Sequence, residues 1–146
     1  MKKLILSALL GASFLIAHSQ EAKQDNSDRA VPAVVINKFA SLYPGLNVEK
    51  WEIENGNWEA GFHKDKTKMS VVIDASGNLM ETETKIEVSE LPMAITDYVS
   101  KNKAGKKIKE AAKIVDSKGV MTFEAEVDQM DLLFDKDGKF LKESKD

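Results

Sequence analysis

The chain contains no cysteine. That absence removes thiol catalysis, thiolate metal sites, redox sensing and disulfide staples, and it rules out a lipid-modified N-terminal cysteine. Histidine is nearly missing as well, with two in 146 residues. A zinc site draws three or four ligands from His, Cys and carboxylates, so a His-poor, Cys-free chain is a weak zinc binder. A Ser–His–acid site needs its base beside a serine on a strained turn, and no Gly-x-Ser-x-Gly occurs. Three prolines are present, Pro32, Pro44 and Pro92, each at the end of a helix-like run. Beyond the first 17 residues no apolar stretch approaches the ~20 residues that span a bilayer.

The first residues have their own logic. Met1-Lys2-Lys3 is a short positive segment, and Leu4 to Ala17 is almost wholly apolar. Ala17-His18-Ser19 fits the small-x-small rule, which predicts a signal peptide over 1–19 cleaved between Ser19 and Gln20. Residues 20–29 are polar and read as a flexible leader. The expected location is therefore periplasmic or secreted, with no stable membrane insertion after cleavage. Loss of Lys2, Lys3 and His18 leaves His63 as the one histidine, and 19 basic residues against 24 acidic, a formal charge of −5. A mildly acidic chain lacks the clustered positive field that nucleic acid requires. The exception is Lys101 to Lys109, which reads as a solvated helix end favoured by the helix dipole.

The second half of the chain repeats the plan of the first. Val31-Pro32 opens one helical pattern and Leu91-Pro92 another. Val35, Ile36, Phe39, Leu42 and Tyr43 form one apolar stripe, as do Met93, Ile95, Tyr98 and Val99. The helices are expected over Pro32–Tyr43 and Pro92–Lys103, and Pro44-Gly45 stops the first. Asn55-Gly56 is a strong hairpin signal. Centring the turn there pairs Ile53 with Trp58 and Trp51 with Ala60. Trp51, Ile53, Trp58, Ala60 and Phe62 then share the core face, and Lys50, Glu52, Glu59 and His63 the opposite one. Asp74-x-x-Gly77, Asp116-x-x-Gly119 and Asp135-x-x-Gly138 are read as hairpin turns. Asp135-Lys136-Asp137-Gly138 looks like the middle of a calcium loop, but the position that should carry a closing Glu is Ser144. In the second half Phe123-Glu124-Ala125 stands where Trp58-Glu59-Ala60 stands in the first.

The expected fold class is α+β, a tandem repeat of two helix-on-antiparallel-sheet (α-β-β-β-β) units, residues 30–89 and 90–146. The two sheets would join edge to edge with both helices on one face, leaving the other open to solvent or to a partner.

These residues resemble the PepSY-like, or beta-lactamase-inhibitor-like, proteins exported by Bacteroidetes-type bacteria. The resemblance rests on Val31-Pro32, Tyr43-Pro44-Gly45, the hairpin Val48 to Ile53 with Trp58-Glu59-Ala60, and Val72 to Leu79. It covers roughly residues 30–146. Lys103-Ala104-Gly105 departs from the Tyr-Pro-Gly helix stop, and Phe123 replaces the tryptophan. The resemblance implies a fold like the beta-lactamase inhibitory protein, whose joined sheet offers a concave face to a protein ligand. It implies no catalytic residues.

The resulting expectation is a non-enzymatic binding or inhibitor-like module without cofactor or metal, recognising an unknown protein or peptide of the envelope. The binding residues would be Lys50, Glu52, Glu59 and His63 in the first half and Thr122, Glu124 and Glu126 in the second. The alternative is a periplasmic domain that binds or senses a small ligand or metal ion.

Overall fold

The computed structural model describes residues 30–145. The expected signal peptide, its cleavage point at Ser19–Gln20 and the leader at 20–29 lie outside the described residues. The elements run α1 (Ala33–Leu42), β1 (Lys50–Glu54), β2 (Asn57–Lys64), β3 (Thr67–Ile73) and β4 (Leu79–Ile86). After a 3₁₀ turn (Val88–Glu90) come α2 (Met93–Asn102), β5 (Ile108–Asp116), β6 (Met121–Val127), β7 (Met130–Asp135) and β8 (Phe140–Lys145). The strands form one sheet in the order β1 to β8, every neighbour antiparallel.

Both helices begin one residue later than their prolines. Pro32 and Pro92 are N-caps with extended ψ values of 141° and 137°, where a missing N–H leaves nothing unsatisfied and the carbonyl still serves the first turn. Pro32 O accepts from Val35 N at 3.0 Å and Ile36 N at 3.1 Å. Two apolar helix positions do not face the sheet as expected. Ile36 is 46% and Met93 77% exposed, because the sheet-facing stripes centre on Val35 with Phe39 and on Ile95 with Val99, each pair one turn apart.

The Asn55-Gly56 reading fixes the first hairpin. Asn55 has φ +48° and Gly56 +81°, the positive pair that a two-residue type I′ turn demands. Trp51 pairs with Ala60 and Ile53 with Trp58 as expected. Two more tight turns, Asp65-Lys66 and Asp128-Gln129, also hold positive φ at both central residues. The three Asp-x-x-Gly sequences are turns with one construction. Each aspartate Oδ1 accepts from the N–H two and four residues on, at 2.8–2.9 Å. Each glycine N–H donates to the aspartate carbonyl at 3.0 Å.

Two cores lie on the helix face. Under α1 they are Val35, Phe39, Trp58, Ala60, Phe62, Val71 and Ile73, and under α2 Ile95, Val99, Phe123, Ala125, Leu132 and Phe134 among others. Thr82 and Thr84 on β4, opposite Val115 and Lys113, separate the two, since a threonine hydroxyl there breaks the run of apolar side chains. Phe39 meets Phe62 edge-on at 5.1 Å and Trp51 at 6.0 Å. In the second core Tyr98 stacks on Phe140 at 4.7 Å. Phe62 and Phe134 are almost fully enclosed, each burial contributing about 1.5–3 kcal/mol. Trp58 is core and Trp51 packs beside it, so neither tryptophan is a surface platform.

The lysine run after α2 is more engaged than a solvated helix end. Lys103 pairs with Glu143 at 2.5 Å, Lys106 with Asp128 at 2.8 Å and Lys109 with Glu126 at 3.8 Å.

Candidate functional site

The pleat of the sheet decides which residues can meet a ligand. The helices and the 3₁₀ turn contribute to the two cores on one face. The second face receives every other residue of each strand: Glu59, Gly61 and His63 from β2, Lys68, Ser70 and Val72 from β3, and Glu81, Glu83 and Lys85 from β4. It continues through Ala112, Ile114 and Asp116 on β5, Thr122, Glu124 and Glu126 on β6, and Asp131 and Leu133 on β7.

All seven residues expected at the site lie on or at this face, but not in one place. Lys50, Glu52 and Glu59 line a groove of about 220 Å³ together with Glu49, Gly61, Lys68 and Ser70. Glu52 stands opposite Glu59, and Lys50 relieves the like charges by pairing with Glu52 at 2.9 Å. His63 lies outside that groove, in a neighbouring depression with Lys66, Lys68 and Lys85. Its Nδ1 is 2.5 Å from Glu49 Oε1, and it is exposed. Thr122, Glu124 and Glu126 are on β6, four strand spacings or about 19 Å from β2. They belong to the other end of the face.

The middle of this face is not the open, solvated surface expected. Glu124 is 8% exposed, and beside it Glu81, Glu83 and Asp131 are at 4%, 2% and 3%. Ser70, Val72, Ala112, Ile114 and Leu133 are buried with them. β7 is enclosed on both faces: Asp131, Leu132, Leu133 and Phe134 are buried in succession. Glu83 pairs across the ladder with Ser70 on one side and Ile114 on the other. Glu124 sits between Ala112 and Leu133.

Burial sets the electrostatics. It pushes the Glu83 carboxyl up to about 8, with Glu59 and Glu81 adding like charge. Burial likewise raises Glu124 to about 9, helped by Glu83 and Asp131. Glu81 rises to about 6 through burial and then Glu59, with Lys142 opposing. Loss of hydration disfavours the ionised form, and each acid amplifies its neighbours. Both Glu83 oxygens and Glu124 Oε2 are enclosed without a hydrogen-bond partner. Among the described residues no group of three or more His, Asp and Glu side chains is arranged to hold a metal ion. The Asp135 to Gly138 segment is occupied by its own turn: Asp135 Oδ1 is taken by Asp137 N and Lys139 N.

Sequence reasoning placed Glu124 on this face but missed Glu81, Glu83 and Asp131. The signal was present in β4, where Glu81-Thr82-Glu83-Thr84 alternates with period two. With no apolar residue on either side, that alternation carries no mark of which face is buried.

A family model described as "Putative beta-lactamase-inhibitor-like, PepSY-like" matches the chain over residues 19–81 and 57–142. The chain belongs to the PepSY-like family. Solved structures share this PepSY-like fold at low identity. A protein of Bacteroides eggerthii, called a "putative periplasmic" protein, superposes with a TM-score of 0.69 at 15% identity, covering 80% of this chain and 90% of that one. A "BLIP-like" protein of Bacteroides fragilis superposes at 0.62 with 23% identity over 83% and 90%. No curated protein matches the chain. Among the described residues no helix is long and apolar enough to cross a membrane.

Proposed function

We propose that this PepSY-like protein is an exported, non-enzymatic binding module that recognises a protein or peptide of the envelope through the second face of its sheet. The observation that carries the reading is the groove at Lys50, Glu52 and Glu59 on the face opposite both helices, whose lining residue Ser70 pairs across the ladder with Glu83. A groove lined by charges of both signs, beside buried apolar and acidic groups, suits a ligand with its own charge pattern. The inhibitor-like family description and the periplasmic name of one structural relative support binding in an exported compartment.

The tandem-repeat reading belongs here too. Each helix precedes four strands, and the β3–β4 and β7–β8 turns share the Asp-x-x-Gly construction. Two family-model segments are consistent with duplication. Because those segments overlap between 57 and 81, the division into 30–89 and 90–146 rests on element order alone.

The test is affinity capture from the protein's own envelope fraction, with wild type and a Lys50→Glu, Glu59→Lys variant side by side. A partner retained by wild type and lost by an equally stable variant is the expected result. Identical captures by both would refute the groove as the site.

A further inference from the structure

The second face of the sheet is enclosed without a visible cover. Ile114 and Leu133 are each 3% exposed, and Val72 and Ala112 are buried with them. Ile114 and Leu133 form an apolar cluster separate from both cores. Neighbours within a sheet close the flanks of a side chain and leave its top open, so burial of this degree needs a second layer packed on the face. Among the described residues α1, α2 and the 3₁₀ turn contribute to the cores of the other face instead. What remains of the chain is residues 1–29 and Asp146.

The N-terminal segment has the length and chemistry of that layer. The buried residues of the face run from Val72 on β3 to Leu133 on β7, four strand spacings or about 19 Å. Leu4 to Ala17 is 14 residues long and almost wholly apolar, about 21 Å in helical form. Residues 18–29 provide a link of up to about 40 Å, enough to lead from the start of α1 to the far face, since packed layers stand about 10 Å apart. Lys2 and Lys3 precede the apolar run, and Glu81, Glu83, Glu124 and Asp131 are the acids enclosed in the face. The chain's own α-amino group acts on Glu83, Glu124 and Glu110 in the sense that favours their ionised forms. We propose that, before cleavage, the segment Met1–Ala17 lies across the second face of the sheet and is the layer that covers it. Its apolar side chains would rest on Ile114 and Leu133, and Lys2 and Lys3 would reach the acids. Charge and apolar pattern then match on both sides of the contact. Removal of the segment would expose a surface that the uncleaved chain hides, so export and opening of the face are one event. That a partner then takes the vacated place rests on the reading of this face as a binding surface.

The chain has no cysteine, so a single introduced thiol reports on the face. Ile114→Cys and, separately, Leu133→Cys are placed in the full chain and in the chain beginning at Gln20, and their reaction with a maleimide is timed. At least tenfold slower labelling in the full chain at either position is the expected result, as is a rise in that rate when Leu9→Asp interrupts the apolar run. Equal rates in the two chains at both positions overturn the proposal, and so does a full-chain rate that Leu9→Asp leaves unchanged. Loss of cooperative unfolding in the shorter chain overturns it as well, because the segment would then be core and not a removable cover. A second copy of the chain is the competing occupant. Protection that vanishes on hundredfold dilution would assign the face to that copy and overturn the proposal. Where the rates differ as expected and the shorter chain still captures no envelope partner, the cover stands and the binding reading falls.

Discussion

Gly138 lies so close to Ala94 that a Cβ on the glycine would stand 2.8 Å from the alanine Cβ. The first half has the same contact between Gly77 and Val34, at 2.7 Å from Cγ2. These two turns seat the helices on the sheet. Both glycines also hold positive φ, +80° and +85°, so substitution meets backbone strain and a clash together. Gly119 shares the strain, at φ +81°, but has open space around it. Gly77→Ala and Gly138→Ala are each expected to cost about 2–4 kcal/mol, and Gly119→Ala about 1–2. Urea midpoints at constant m-value measure the difference. Equal costs at all three positions would dismiss the helix-seating contact.

Stability is expected to fall as pH rises. Folding lifts Glu83 from 4.5 to about 8 and Glu124 to about 9. A raised acid favours the folded state while protonated. Its contribution is therefore complete below about 4.5 and is lost as pH climbs through 8 to 9. The other acids bearing on these two are Glu59, Glu81 and Asp131, with Lys142 opposing at Glu81. The midpoint at pH 9 should lie below that at pH 6 by an amount equivalent to roughly 2–4 kcal/mol. Glu83→Gln and Glu124→Gln should each flatten the slope. An unchanged slope in both variants would contradict the buried-acid assignment.

Two turns carry removable strain. Lys66 and Gln129 sit at φ +69° and +65° in the second central position of their hairpins, where glycine is preferred. Lys66→Gly and Gln129→Gly are expected to stabilise the protein by about 1 kcal/mol each. Thermal unfolding should show Tm rising by a few degrees. A fall in Tm for both would mean that their side chains contribute more than the strain takes away.

The aspartates of the remaining turns make a separate prediction. Asp135 Oδ1 closes its turn with two backbone N–H groups at 2.9 Å. Asp135→Ala should cost about 1 kcal/mol, and Asp135→Asn, which keeps an acceptor, clearly less. Hydrogen exchange of the Asp137 and Lys139 amides should quicken in the alanine variant alone. Equal exchange in both would show that the carboxylate does not hold the turn.

The sequence was most legible where local chemistry and periodicity agree. Asn55-Gly56 specified a register, and that register placed Trp51, Ile53, Trp58, Ala60 and Phe62 on the core face. It was least legible where a strand is buried on both faces. Glu83 and Glu124 alternate as solvent-facing residues do, and nothing in β4 or β6 announces that both are buried beside Ile114 and Leu133, which are distant in sequence. Ile36 and Met93 failed for the complementary reason. An apolar residue at the flank of a helix stripe is exposed or buried according to the width of the surface beneath, which composition does not encode.

Strict antiparallel succession from β1 to β8 has one further consequence. Odd strands all run one way and even strands the other, so β1 has the polarity of β5, and β8 that of β4. Among the described residues β1 and β8 are the outer strands, and those edges of two molecules match in the same sense as the β4–β5 pair already formed within each. Such a contact is head-to-tail and has no built-in closure, so it would lengthen a ribbon copy by copy rather than stop at a dimer. The edges carry the usual deterrents: β1 is five residues long and includes Lys50 and Glu52, and β8 carries Lys142, Glu143 and Lys145. Short charged borders of this kind keep a modular sheet finite.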